Sequence, residues 1–188
     1  AHRVEDWIVS DPRKIHTWFL KAVDTYGEVL RRVCRYLKAW RDHHRPHLDG
    51  VSSILLMACA FMVFEEKNRQ LLPSREDEIL LLVVKRLPTL LNQEVANPAV
   101  ASENLNRMAA EQRKLAVSKA EEFHTLLSRA VTTSAVARDA VANMVSIFGE
   151  RLPDRPDLVT IAETAAVTVL SQPRKEVAAP VVGRSTSG

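Results

Sequence analysis

Residues 53–64 read Ser-Ile-Leu-Leu-Met-Ala-Cys-Ala-Phe-Met-Val-Phe, so one serine is followed by eleven consecutive apolar side chains. A run of that length suits a helix but is too short to cross a bilayer. A helix that is apolar on every side has no face to give to water and belongs in the middle of a core. The rest of the chain is therefore expected to pack around this segment as its central helix. No other uncharged apolar run is longer, which predicts no membrane span.

The remaining residues supply the surrounding layer. Only 5 of 188 residues are Gly, and Ala, Leu, Glu, Lys and Arg are abundant, a balance that favours helix. Asp11-Pro12 is a helix start, followed by an apolar face of Ile15, Trp18, Phe19, Ala22 and Val23. Tyr26-Gly27 breaks it, and Val29, Val33, Tyr36, Leu37 and Trp40 form the next face. Ser74 with Asp77 has the spacing of a capping box and predicts a helix over 78–91, with Pro88 as a kink. Asn97-Pro98 marks a loop. A long helix is expected over 103–130, and a last one capped by Ser134 and ended by Gly149. The fold class is all-α, with five to seven helices. Residues 1–153 read as the folded lobe, 154–171 as a short helical or mobile extension, and 172–188 as a flexible tail without periodicity. Cys34 and Cys59 sit at apolar helical positions and read as buried thiols, which suits a cytoplasmic protein, and the start carries no signal-peptide pattern.

Charge is uneven. The net value is only +3, yet residues 31–47 hold Arg31, Arg32, Arg35, Lys38, Arg41 and Arg45 against Asp42 alone. Such a cluster favours ligands that bear phosphate. Just beyond it, Ser52 and Ser53 open the apolar helix, where unpaired backbone N–H groups favour anions. Two readings fit this pattern. In one, a serine is a cap and Lys38 a solvated charge; in the other, they converge on a polyphosphate. The intervening turn holds His43, His44 and His47 with Asp42 and Asp49, but their spacing matches no helical pair of metal ligands, so it reads as a polar loop. No 33- to 47-residue repeat indicates a solenoid.

Motifs sharpen the choice. Leu30-Arg-Arg-Val-Cys-Arg-Tyr-Leu-Lys-Ala-Trp40 and Gly50-Val-Ser-Ser-Ile-Leu-Leu56 resemble a basic helix and a serine-pair helix start of the cGAS/DncV-like nucleotidyltransferases. Trp7-Ile-Val-Ser-Asp-Pro12, His16-Thr-Trp-Phe19, Asn97-Pro98 with Glu103-Asn-Leu-Asn106, and Phe148-Gly-Glu-Arg-Leu-Pro153 are similar to further segments of that family, so the likeness runs from about residue 7 to 153. The resemblance implies that Lys38 and Ser52 or Ser53 contact the triphosphate of a bound nucleotide, with Arg35 and Asn104 as further phosphate or base contacts. Ile54 stands where animal relatives place a base-stacking aromatic. The family's metal-binding Gly-Ser turn and Asp-x-Asp strand do not occur in the sequence. The chain is accordingly expected to be the C-terminal helical lobe, inactive alone, that joins an N-terminal catalytic lobe holding Mg²⁺. Together they would make cyclic di- or trinucleotides from ATP- or GTP-type nucleoside triphosphates in antiviral defence. The resemblance also implies a second possibility: a tail whose Gly188 is taken up by a ubiquitin-like activating and conjugating enzyme.

Overall fold

The computed structural model describes residues 12–161. Pro12 occupies the first position of α1 (Pro12–Tyr26), where a missing N–H breaks no helical bond. Gly27 ends it with φ 87°, a conformation open to glycine at no steric cost, and its N–H donates to the Val23 carbonyl at 2.7 Å. α2 (Glu28–His43) follows, then the one-turn α3 (Arg45–Leu48) and α4 (Ser53–Lys67). α5 (Glu76–Leu91) leads into a two-stranded antiparallel ribbon, β1 (Ala96–Asn97) and β2 (Val100–Asn104). α6 (Ala110–Ser128) ends in a π-helical turn at Arg129–Thr133, before α7 (Ala137–Phe148) and 3₁₀ turns at Gly149–Arg151 and Pro156–Leu158. The described residues thus contain seven α-helices, and the all-α expectation holds apart from the small ribbon.

α4 lies where its composition requires. Leu55, Leu56, Ala58, Cys59, Ala60, Val63 and Phe64 are buried on it, with α2 against one side and α5 against another. α6 runs along α5, and α7 closes against α6 and α2. Each large side chain withdrawn from water contributes about 1.5–3 kcal/mol, so α4, together with the equally buried α5, supplies much of the cohesion. Aromatic rings join the layers. Trp40 of α2 stacks on Phe123 of α6 at 5.1 Å, and Phe123 meets Phe148 of α7 edge-on at 5.8 Å. Phe61 of α4 receives Trp18 and Tyr26 of α1 edge-on. Cys34 and Cys59 are buried and unbridged, and burial pushes both thiols up to about 12, with the Lys38 charge pulling slightly the other way on Cys34.

Several local expectations need correction. Residues 103–109 are not helical: β2 runs to Asn104, and the helix starts only at Ala110. Asn104 Oδ1 accepts from the Val95 and Asn106 amides at 3.0 and 2.9 Å, a local side-chain bond that competes with helix. Leu105 and Met108 are buried all the same, so their spacing imitates a helical face. Leu115 is exposed although it keeps the helical register of the apolar positions on this helix. Ser74 and Asp77 form no capping box, because Arg75 is the N-cap residue and Asp77 is engaged by the Arg75 guanidinium. Ser134 does not cap α7; its hydroxyl donates to the Arg129 carbonyl and closes the π-helical turn. Tyr36 is turned outward, with its hydroxyl donating to Glu76 Oε1 at 2.9 Å. Gly149 does end α7, at φ 61°, and the His43 ring occupies the space an added Cβ would need. Of the 154–171 extension, Pro156–Leu158 is a 3₁₀ turn. Residues 162–171, the tail with Gly188, and the motif at 7–11 lie outside the described residues.

Candidate phosphate-binding site

The site begins with a reversal of the chain. α2 stops at His43, and the single turn of α3 follows, pinned by buried Leu48 and Val51. The Val51 N–H donates to the Leu48 carbonyl at 2.9 Å and sends the chain back toward α2. Gly50 allows this turn to lie against α6: an added Cβ would sit 3.1 Å from Met108 Cγ and 3.2 Å from the Gln112 side chain. Ser52 then takes an extended conformation as the N-cap of α4, and its Oγ accepts from the Leu55 N–H at 3.2 Å. The next N–H groups, on Ser53 and Ile54, belong to the first helical turn and have no acceptor within the helix.

The two serines are used differently. Ser52 caps its own helix. Ser53 Oγ accepts from Arg41 Nη1 of α2 at 2.7 Å. The same guanidinium donates through Nε and Nη2 to Asp42 Oδ1 at 3.0 and 2.6 Å. Asp42 Oδ2 meets Arg151 Nη2 at 3.1 Å, beyond the end of α7. The hydrogen bond from Arg41, helped by the charges of Arg41 and Arg151, holds the Asp42 carboxyl below its usual value against the opposing effect of desolvation.

Two clefts meet at Ser52. One, of about 240 Å³, is lined by Arg41, Arg45, Leu48, Asp49, Val51 and Ser52. The other, of about 290 Å³, is lined by Ser52 with Gly50, Ile54, Glu103, Leu105, Arg107, Met108 and Gln112. The first is basic on two sides. In the second, the Glu103 carboxylate is engaged by Arg107 and by Asn97 Nδ2.

Lys38 is half-buried on α2. It stands three residues before Arg41, which on a helix sets the two Cβ atoms about 5–6 Å apart on one face. Its ammonium makes no ion pair or hydrogen bond among the described residues, and it is not among the residues lining the two clefts. Arg35 is exposed one turn earlier. Asn104 lies on β2 with its carbonyl oxygen tied to two backbone amides. Asn97 and Asn106 are buried, and Asn106 Nδ2 donates to the Leu91 and Gln93 carbonyls at 2.8 and 2.7 Å. Sequence reasoning missed the prominence of Arg41 and Arg45. Both belong to the basic cluster, and the spacing of Lys38 and Arg41 was the available signal. The histidine turn is structural: His43 abuts Gly149 and His44 packs by Trp40, where burial lowers its pKa. No group of three His, Cys, Asp or Glu among the described residues is arranged to hold a metal ion.

No helix among the described residues is long and apolar enough to cross a membrane. Residues 27–161 match the family model of the cyclic GMP-AMP synthase C-terminal domain. The chain is 28% identical over 183 residues to a cyclic GMP-AMP synthase of Escherichia coli, covering 92% of this chain and 40% of that protein. It is 28% identical over 161 residues to a cyclic GMP-AMP synthase of Vibrio cholerae, covering 84% and 36%. It thus spans roughly two-fifths of the curated relatives it matches. Among solved structures, Vibrio cholerae DncV cyclic AMP-GMP synthase in complex with nonhydrolyzable GTP is similar at a TM-score of 0.72 and 27% identity, over 87% of this chain and 44% of that one. The 3'-deoxy GTP bound form of Escherichia coli DncV gives 0.71 and 27%, over 86% and 44%. With the match covering most of the chain and the helical layers in common, this protein belongs to the family of cyclic GMP-AMP synthase C-terminal domains.

Proposed function

We propose that this chain is the triphosphate-gripping lobe of a nucleotidyltransferase that makes cyclic di- or trinucleotide messengers, with a role in antiviral defence. The observation that carries the proposal is the opening of α4. There a serine pair and first-turn amides stand beside a cleft walled by Arg41 and Arg45, in a chain whose relatives are solved with GTP bound. Lys38, one turn from Arg41, adds its ammonium to the same end of the substrate, and Ser52 or Ser53 adds a hydroxyl donor. Arg35 and Asn104 are secondary contacts.

Phosphoryl transfer depends mainly on positioning and on stabilising charge, so groups that hold the phosphates affect both binding and rate. The described residues do not fit a Mg²⁺ site, since no carboxylate cluster suited to a metal occurs among them. The proposal assigns the metal and the bond-making step to a preceding catalytic lobe and predicts that this chain alone is inactive.

In the enzyme that contains both lobes, Lys38→Ala is expected to lower cyclic product formation about tenfold, on the order of 1.4 kcal/mol of transition-state binding. A radiolabelled-nucleotide assay measures this. Turnover equal to that of the parent enzyme would remove Lys38 from the site.

A further inference from the structure

Arg41 carries more fixed geometry than any other cation near the opening of α4. Three of its five N–H donors are engaged: Nε and one on Nη2 with Asp42, and one on Nη1 with Ser53. Asp42 is held in turn by Arg151. A guanidinium fastened on two sides loses little further freedom when a ligand arrives, and the planar fork suits phosphate oxygens. The side chain is largely withdrawn from solvent, at 20% exposure, yet it lines the cleft together with Arg45 and Ser52. Asp42 and Asp49 offset two positive charges, and Arg41, Arg45 and Arg151 still leave the surroundings with a net positive charge.

We infer that Arg41 is a direct phosphate-binding residue of this cleft, held in place by Asp42 and Ser53, so that Ser53 serves as its brace and Ser52 as the cap. This rests on the reading of the cleft as the triphosphate site and adds to it a residue that the choice of Lys38 and the serine pair passes over. Two donors of the fork remain for the ligand. The brace matters because Ser53 sits in the first turn of the buried helix, so the guanidinium is positioned by an element packed into the core.

Isothermal titration of this chain with inorganic tripolyphosphate, and separately with GTP, at fixed low ionic strength tests the inference. Arg41→Met is expected to weaken both ligands about tenfold, and Arg41→Lys about threefold or more, because an ammonium keeps the charge but not the fork. Ser53→Ala is expected to weaken binding by about threefold, and the double variant Arg41→Met with Ser53→Ala to bind no worse than Arg41→Met alone, as linked groups do. Arg138→Met on α7 removes the same unit of charge and is expected to change affinity by less than about twofold, since screened surface charges act weakly at a distance. Thermal melting checks that each variant is folded. If Arg41→Met unfolds the chain, Arg41→Lys decides the matter. Arg41 variants that bind within twofold of the parent chain would overturn the assignment and leave the cleft reading standing. A parent chain that binds neither ligand would overturn the cleft reading, and the role of Arg41 with it.

Discussion

Two polar clusters, one at the opening of α4 and one in the ribbon and loop between α5 and α6, spend their hydrogen-bonding capacity in opposite ways. At 97–106, Asn97 and Asn106 are almost fully enclosed, and Asn97, Asn104 and Asn106 bind backbone or neighbouring side chains. At 52–53, the serines make one such contact each and stand at the edge of a cleft beside two arginines. The asparagines close the end of α5 and shape a ribbon; the serines leave hydroxyl protons and helix amides for a partner. In a sequence both clusters are small polar residues next to apolar helices. What separates the two clusters is donor capacity: the Asn97 and Asn106 amide groups donate within the fold, although Asn106 Oδ1 has no partner, whereas the serine oxygens only accept.

The contrast can be broken by substitution. The largest effect is expected at the enclosed cluster. Asn106→Ala leaves the Leu91 and Gln93 carbonyls without their donor and should cost about 2–4 kcal/mol in urea unfolding, the scale of two unsatisfied buried groups. A loss under about 1 kcal/mol would mean that the cluster is not structural. Lys38→Ala is expected to show the reverse pattern, with unfolding free energy within about 0.5 kcal/mol of the parent chain while tripolyphosphate affinity falls. Ser52→Ala removes the acceptor of the Leu55 N–H and should cost about 1 kcal/mol, placing Ser52 between the two patterns. The smallest effect concerns pH. The Asp42 carboxyl titrates lower in the folded chain than in the unfolded one, so its charged form stabilises the fold above the ordinary carboxylate value of about 4 and loses that contribution as the pH falls further. Melting temperatures of Asp42→Asn measured between about pH 2.5 and 6 should therefore decline less steeply in acid than those of the parent chain. Parallel curves would show that the Arg41–Asp42–Arg151 link contributes nothing to stability.

Much of this arrangement was legible beforehand, for physical reasons. An all-apolar segment has one place to go, and residues 53–64 form the central helix, with Leu55, Leu56, Ala58, Cys59, Ala60, Val63 and Phe64 buried and the rest partly so. Gly27 and Gly149 ended helices as expected, because their positive φ values suit glycine. The ribbon was not legible. Leu105 and Met108 keep helical spacing while the backbone is extended, and only the bonds to the Asn104 side chain reveal why. The serine pair and the basic face of α2 were visible as neighbours in sequence. The bond between Arg41 and Ser53 was not, since it depends on the angle at which the short α3 turn returns the chain.

The two thiols have a practical consequence. Cys34 and Cys59 are enclosed and titrate near 12, so at neutral pH an alkylating reagent finds almost no thiolate to attack in the native chain. Modification must wait for a fluctuation that exposes the helix carrying each thiol. The protein therefore carries an internal clock: the speed at which each sulfur atom is labelled would report how often α2 or α4 opens, without any engineered probe.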